Sequence, residues 1–551
     1  MSGVDQINSS EIKTKNKKFL SKVERKTFLA ENTKNVLNLG KALDAHSRRN
    51  FDTTHVNYKI HHLLHDPLTI THAYFNISKN KEVLTKGFKE GGSMKLFGLK
   101  DATDISEKLK KGQYKFKPIK RDWISKSGKK RPINVFTQSD LIVQEAIRGI
   151  LEAIYEPEFE KWGNVTNHLS NNYGFRPSKS PWSALEKLKT LSQRCNIVIK
   201  GDIVSTYTNV DHTILVNILQ ERIKDKKFIK LIKNLLKSGI MDFEVYEHNL
   251  KETPPVGIVS PLLFNIYLFG FDKFVYNEII LPLIKNKHGK NYDEKNLSKK
   301  TVNPPEKQFE RFRSQRNKIQ HNNVIQSGSK AVYVRYADDW VLTITGNKAT
   351  AESIKNQISE FLFTKRKMQL DEEKTKITHG SKGYKFLGFE VRTQIGKGKL
   401  QRVLQKNAAS FPVWLLKRTI SKLVTIEPDS DKILERLKLN GFCNSDYEPR
   451  AKPGWLVFED QQIVEKYSQI FKKIFNYYLS CERLTRLNRI SYILQYSCAR
   501  TLARRRNTTL SKIFKKYGKN LQITTKTKTV MFSTLSDLRR IVSLRRHSLI
   551  Q

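Results

Sequence analysis

Hydrophobic positions along the chain change period several times, and each change marks an element. From His61 to Lys81 apolar residues recur at helical spacing, and the same period returns over 140–159, DLIVQEAIRGILEAIYEPEF. Residues 258–277 read as a buried helix behind a turn at Pro254-Pro255. Residues 113–135 instead alternate apolar and charged side chains around Ser127-Gly128, which predicts a β-hairpin with basic residues at its tip. The run NIVIKGDIV, 196–204, predicts a short strand ending in an acid. AVYVRYADDWVLTIT, 331–345, is β-branched and aromatic on both sides of Ala337-Asp338-Asp339 and predicts strand–turn–strand. YKFLGFEV, 384–391, predicts a strand pair around Gly388. Residues 1–55 form a polar, basic extension with helical patches, and 285–330, polar and without period, read as an insertion or long loop. Beyond about residue 400 the chain reads as helical and basic to its end, and no internal repeat is visible.

Composition narrows the partners. A chain of 551 residues exceeds one ordinary core and predicts several domains. Lys and Arg number 101 against 53 Asp and Glu, a net charge of +48. Such a surplus repels itself unless a polyanion neutralises it, and nucleic acid does so through phosphate contacts and counterion release. Cys195, Cys443, Cys481 and Cys498 are scattered with no C-x-x-C pair, which argues against a structural zinc site or a disulfide framework and fits a reducing compartment. The most apolar stretch, Leu262–Phe271, is short and broken by Asn265, so no membrane partner is expected. The start carries Asp5 and Glu11 without an apolar run, unlike a signal or transit peptide, so the protein is expected to work where it is made. Heavy use of Lys, Asn, Ile, Phe and Tyr fits an AT-rich coding sequence, as in an organelle genome or some bacteria.

Three acids sit where acids are out of place. Asp202 closes an apolar strand, and Asp338 and Asp339 lie between two others. Carboxylates near a sheet need a compensating cation or partner. If the strands bring Asp202 beside Asp338, the oxygens suit Mg²⁺, held by one or two carboxylates plus substrate phosphates. Two such ions clamp the attacking and leaving oxygens of an in-line phosphoryl transfer. The same residues also fit plain turn and capping roles.

The surrounding blocks decide between these. Tyr336-Ala337-Asp338-Asp339, within YVRYADDW, resembles the metal-binding turn of reverse transcriptases, and GDIVSTYTNVDH (201–212) resembles the strand with their first catalytic Asp. SKSGKKRP (125–132), VQEAI (143–147), YGFRPSKSPWSAL (173–185), VGIVSPLLFNIYL (256–268), DEEKTKITH (371–379) and FLGF (386–389) are similar to successive blocks of group II intron reverse transcriptases, in the same order. Further on, NYY (476–478), SCARTLA (497–503) and KYG (516–518) resemble domain X, the maturase region of group II intron proteins. The resemblance covers roughly residues 60–535.

This resemblance implies an α/β (α+β) right hand of fingers, palm and thumb, followed by an all-helical maturase domain. The expected division is 1–55 extension, 56–395 fingers and palm, 396–450 helical thumb, 451–535 domain X and 536–551 basic tail. Asp202 and Asp338 would ligate Mg²⁺, with Asp339 in support and the main chain at Ile203 as a further ligand. Lys126 and Arg131 would hold the incoming triphosphate, or contact RNA backbone instead. Tyr207 falls at the family's steric gate against a ribose 2′-OH, or is a core aromatic. Arg500, Arg504, Arg505, Arg506, Lys512, Lys515 and Lys516 would contact RNA phosphates, while Tyr477 and Tyr478 belong to a core. The implied function is binding group II intron RNA to promote splicing, with target DNA and dNTPs as further partners if the polymerase works. The implied compartment is an organelle, the mitochondrion ahead of the plastid, or else a bacterial cytoplasm.

Two departures weigh on polymerisation. Where the family reads Pro-Gln-Gly-Gly, this chain has Pro254-Pro255-Val256-Gly257, which removes a side-chain donor and a flexible residue. The Phe-Asp pair after the first catalytic Asp is here Tyr207-Thr208. These leave open a splicing-only cofactor with a degenerate polymerase site. The 33 residues after Gly518 contain Arg539, Arg540, Arg545 and Arg546 but no Cys, so an HNH endonuclease is not expected there.

Overall fold

A computed structural model describes residues 43–79, 97–117, 120–126, 129–193, 195–204, 210–240, 257–285, 330–393, 399–407, 410–419, 424–524 and 528–548. The period-3.6 segments form α1 (Pro67–Lys79), α2 (Leu99–Lys110) and α3 (Gln138–Val165). Between α2 and α3 the alternating segment pairs as the hairpin β1 (Lys120–Lys126) and β2 (Lys129–Val135). Further along run β3 (Ser170–Asn172), α4 (Pro181–Leu191), β4 (Ile197–Gly201), α5 (His212–Arg222) and α6 (Lys226–Leu235). Asp211 and Asp225 cap α5 and α6 by accepting from backbone N–H groups of the first turn. The buried helix of the sequence is α7, Ser260–Phe274.

Strands β5 (Ala331–Tyr336), β6 (Asp339–Ile344) and β7 (Lys376–His379) complete a five-stranded sheet in the order β3-β5-β6-β4-β7. Only β3–β5 is parallel. Helix α8 (Lys348–Arg366) links β6 to β7. The pleat sends alternate residues to opposite faces. Ile197, Ile199, Tyr333, Trp340 and Leu342 face one core, with α3, α5, α7 and α8. Val198, Val332, Val334 and Val341 face a second core, with α4. A smaller sheet, β8 (Tyr384–Phe386), β9 (Phe389–Thr393) and β12 (Val424–Pro428), adds to that second core.

The helical thumb expected from residue 396 is corrected here. Residues 399–407 and 410–419 form an antiparallel hairpin, β10 and β11, and among the described residues the next helix is α9, Ser430–Leu439. KLQRVLQK carries apolar residues at helical spacing, but Pro412 in the following segment forbids a helix interior and is tolerated at a strand edge. Beyond α9 run α10 (Asp460–Tyr478), α11 (Asn488–Arg505), α12 (Leu510–Tyr517) and α13 (Leu535–Ser548). This region is not wholly helical: β13 (Ile523–Thr524) and β14 (Thr529–Val530) pair between α12 and α13. Among the described residues no helix is long and apolar enough to cross a membrane.

Candidate active site

The register of the sheet assembles the acids. Gly201 pairs with Trp340 across β4 and β6, so continuing the ladder sets Asp202 opposite Asp339. Opposite residues in an antiparallel pair hold their Cβ atoms about 4.5–5.5 Å apart. Tyr336 pairs with Asp339, so Ala337 and Asp338 are the two central residues of the β5–β6 turn. Ala337 takes φ +60°, as a tight two-residue turn demands. Gly201 explains why the first strand reads Gly-Asp: a Cβ there would lie 2.1 Å from the ring of buried Trp340.

A polar network sequence reasoning missed holds the turn from below. Asn265 and Asp272, two turns apart on α7, share one helix stripe. Arg335 donates from Nε and Nη2 to the Asp272 carboxylate at 2.7 and 2.6 Å. Its Nη1 donates to the Ala337 carbonyl at 3.0 Å and to Asn265 Oδ1 at 3.2 Å. Asn265 Nδ2 in turn donates to the Gly174 carbonyl at 2.7 Å. The one sequence signal was a charged residue at 335 inside an otherwise apolar strand.

The acids are crowded. Asp339 Oδ1 is buried without a hydrogen-bond donor; its nearest cation, Lys200 Nζ, stands at 3.5 Å. Burial, with the charges of Asp202 and Asp338 adding to it against Lys200, pushes the Asp339 carboxyl up to about 7. Lys374 Nζ bridges Asp202 at 2.9 Å and Asp371 at 2.8 Å; burial opposes its charge, but the bonds to Asp371 and Asp202 outweigh it and hold the ammonium above the ordinary lysine range. At Ile203 the chain makes an isolated bridge to Leu370, whose bonds are Val204 N–H to the Gln369 carbonyl and Asp371 N–H to the Asp202 carbonyl. Among the described residues no three acidic, His or Cys side chains enclose an ion by themselves. Carboxylates with an orphaned buried oxygen still fit a hard cation that takes its remaining ligands from phosphates and water.

The other expected site residues divide. Lys126 and Arg131 lie on the β1–β2 hairpin, opposite Lys129 and Ile124, and their side chains are outside the described residues. Tyr207, Thr208, Pro255 and Val256 also lie outside them. Arg500 and Arg504 are exposed one helical turn apart on α11, and Lys512, Lys515 and Lys516 are exposed on α12 around buried Ile513. Arg505 and Arg506 are engaged differently, since both bind the Asp460 carboxylate, as does the Tyr517 hydroxyl at 2.8 Å. Burial opposes the Asp460 charge, but these donors hold its carboxyl below the usual range. Tyr478 is buried, and its hydroxyl donates to the Gly388 carbonyl at 3.0 Å; Tyr477 is exposed but donates likewise to the Leu387 carbonyl at 3.0 Å.

Residues 110–391 match the family profile described as reverse transcriptase (RNA-dependent DNA polymerase), and 421–543 match that of the type II intron maturase. The group II intron-encoded protein LtrA of Lactococcus lactis subsp. cremoris is 32% identical over 455 residues, 80% of this chain and 73% of the relative. The chain belongs to the group II intron-encoded maturases with a reverse transcriptase domain. The putative COX1/OXI3 intron 2 protein of Saccharomyces cerevisiae is 30% identical over 498 residues, 85% of this chain and 54% of the relative. An uncharacterized mitochondrial protein of Marchantia polymorpha, ymf11, is 25% identical over 428 residues, 69% of this chain and 55% of the relative. The matched relatives thus include bacterial and organellar proteins.

Proposed function

We propose that this maturase binds group II intron RNA to promote its splicing and that its three aspartates catalyse RNA-templated DNA synthesis. The observation that carries the polymerase half is the register that sets Asp202 against the Asp338–Asp339 turn, with a buried Asp339 oxygen lacking a donor. Asp202 and Asp338 would hold Mg²⁺, with Asp339 and the Ile203 carbonyl in support. When bound, Mg²⁺ supplies charge neutralisation for the attacking and leaving oxygens. Lys200 and Lys374 hold the carboxylates in place and limit their mutual repulsion. Lys126, Arg131 and Tyr207 would bind and select the incoming dNTP. Arg500, Arg504, Lys512, Lys515 and Lys516 would lie along intron phosphates, with Arg505 and Arg506 fixed beside them by Asp460. In this reading β1–β2 belongs to the fingers, the five-stranded sheet is the palm, the segment from 396 to 450 is the thumb and the last helices are domain X. Mitochondrial relatives support an organellar compartment.

The test is primer extension on an RNA template with Mg²⁺ and dNTPs, beside a chain carrying Asp338→Ala and Asp339→Ala. Extension that vanishes in the variant supports the polymerase. No extension from protein that still accelerates intron splicing assigns the chain to splicing alone, as Pro255 and Val256 would favour.

A further inference from the structure

Beside the catalytic turn lies an aromatic residue that no part of the proposed mechanism uses. Phe175 has φ +53°, a backbone conformation unfavourable for a bulky L-residue. Its side chain nevertheless faces solvent: Phe175 is 53% exposed, between Tyr173 at 2% and Arg176 at 5%. An exposed phenylalanine gains little from burial, so core packing does not explain the strain.

The surroundings enforce this conformation. Tyr173 N–H donates to the Arg335 carbonyl at 2.8 Å, and Gly174 N–H to Asn172 Oδ1 at 2.9 Å. Gly174 lies so close to the turn that a Cβ there would stand 2.4 Å from the Ala337 nitrogen. On the other side Arg176 is locked by Glu156 at 2.7 Å, by Asn171 Oδ1 at 3.0 Å and by the Asn172 carbonyl at 2.9 Å. The loop is thus pinned on both flanks, and what it presents is the Phe175 ring, 6.1 Å centroid to centroid from half-buried Tyr336, the residue before the Ala337-Asp338 turn. Strain that the surrounding structure over-determines concentrates at functional sites. A pinned, exposed ring beside phosphoryl-transfer acids has the chemistry of a stacking platform, since every base offers a π-face to an aromatic side chain.

We propose that Phe175 is a nucleic-acid platform at the polymerase site, its ring lying against the terminal base pair of the primer–template. The choice of primer–template as ligand rests on the polymerase reading of Asp202, Asp338 and Asp339. Phe175 binds and positions the duplex end and takes no part in proton or metal chemistry. Phe175→Gly removes the ring and relieves the positive φ, so the variant keeps its fold with an unfolding midpoint at or above that of the parent.

The experiment places 5-iodouracil at the primer 3′ end, or at its template partner, in a recessed RNA–DNA duplex. It combines photocrosslinking and peptide mapping with duplex affinity by fluorescence anisotropy and with steady-state extension. The expected result is a crosslink at Phe175, lost in Phe175→Gly together with a roughly ten-fold or larger loss of duplex affinity. The KM for duplex rises by the same factor while the KM for dNTP stays within about two-fold, and Phe175→Tyr restores both affinity and KM. A duplex that binds without crosslinking to Phe175, or a Phe175→Gly chain with parental affinity, overturns the proposal. Crosslinking and affinity loss without extension by the parent leave the platform standing and sink the polymerase reading. Failure of the parent to bind the duplex overturns both.

Discussion

Replacing Asp272 by alanine should loosen the β5–β6 turn although Asp272 is not one of its residues. The Arg335 and Asp272 side chains are 0% and 2% exposed, so the pair is shielded from solvent. Arg335 makes two bonds to Asp272, one to Asn265 and one to the Ala337 carbonyl, and Tyr333 donates its hydroxyl to Asp272 Oδ1 at 3.1 Å. Removing the acid strands a buried guanidinium, which costs about 3–5 kcal/mol. At about 1.4 kcal/mol per decade that is roughly a hundred- to a few-thousand-fold. Native-state hydrogen exchange of the β5 and β6 amides reads this locally, without requiring the whole chain to unfold in one step. Acceleration of less than about ten-fold in Asp272→Ala would refute the reasoning. Replacing both partners, Asp272→Leu with Arg335→Met, removes the stranded charge, and exchange should return most of the way to the parental rate. Primer extension should stay low in that double variant, because the Ala337 carbonyl and Asn265 have still lost their donor.

The Asp339 carboxyl, pushed up to about 7 by burial and by its acidic neighbours, makes the metal-free chain sensitive to pH. The folded state holds this proton more tightly than the unfolded chain, so the contribution to stability is full below the ordinary aspartate range and is lost as pH rises through about 7. Thermal midpoints in EDTA at pH 5 and pH 8 should therefore differ more for the parent than for Asp339→Asn, and equal differences would contradict the assignment. In the maturase segment, Arg500→Ala with Arg504→Ala should weaken intron RNA binding and flatten its salt dependence by about 0.7–0.9 for each phosphate no longer neutralised. Asp460→Ala removes the acceptor shared by Arg505, Arg506 and Tyr517, so its first effect should be a lowered unfolding midpoint, checked by calorimetry. An unchanged midpoint would mean that the carboxylate is dispensable to the helix packing.

The acids stood out in the sequence because each lies at the end of an apolar strand or in the turn between two, where a carboxylate near a sheet is costly. The hairpin at 120–135 was legible because apolar and charged residues alternate about Ser127-Gly128, and that at 331–344 because β-branched and aromatic runs flank Ala337-Asp338-Asp339. What joins the acids was not legible. Lys374 reaches Asp202 across 172 positions, the difference between their numbers, and no local pattern encodes that pairing. Asp272 looked like an ordinary polar residue near the end of an apolar helix; only the packing of α7 under β5 turns it into the partner of Arg335. The segment after residue 396 misled because two adjacent leucine–valine stripes mimic helical spacing, whereas pairing with a second strand is a non-local choice. The arginine run 504–506 read as uniform, yet Asp460, more than forty residues earlier, takes two of its three members.

The division into polymerase and maturase segments is sharper in sequence than in packing. β12 lies after the β10–β11 hairpin, yet it pairs with β9 residue for residue from Val424–Thr393 to Pro428–Phe389. One face of the five-stranded sheet shares its core with Ile433, Leu437, Ile463, Tyr467 and Phe471, all beyond the polymerase match. Trp182 Nε1 donates to the Tyr477 carbonyl at 3.0 Å, and Arg486 joins Glu390 of β9 to Glu427 of β12, with 2.6 Å to the latter. Cutting the chain after residue 450 would therefore expose Phe386, Phe389, Val391 and Ile426, all buried now, rather than release an independent polymerase. The Leu387 and Gly388 carbonyls that Tyr477 and Tyr478 bind sit in the turn between β8 and β9, so α10 braces the small sheet beside the five-stranded one, and its Tyr467 hydroxyl bonds Ser497 and Thr501 of α11, the helix that carries exposed Arg500 and Arg504. A polymerase site weakened by substitution would still be retained under this arrangement, because the fold that carries it also supports the surface proposed to bind the intron.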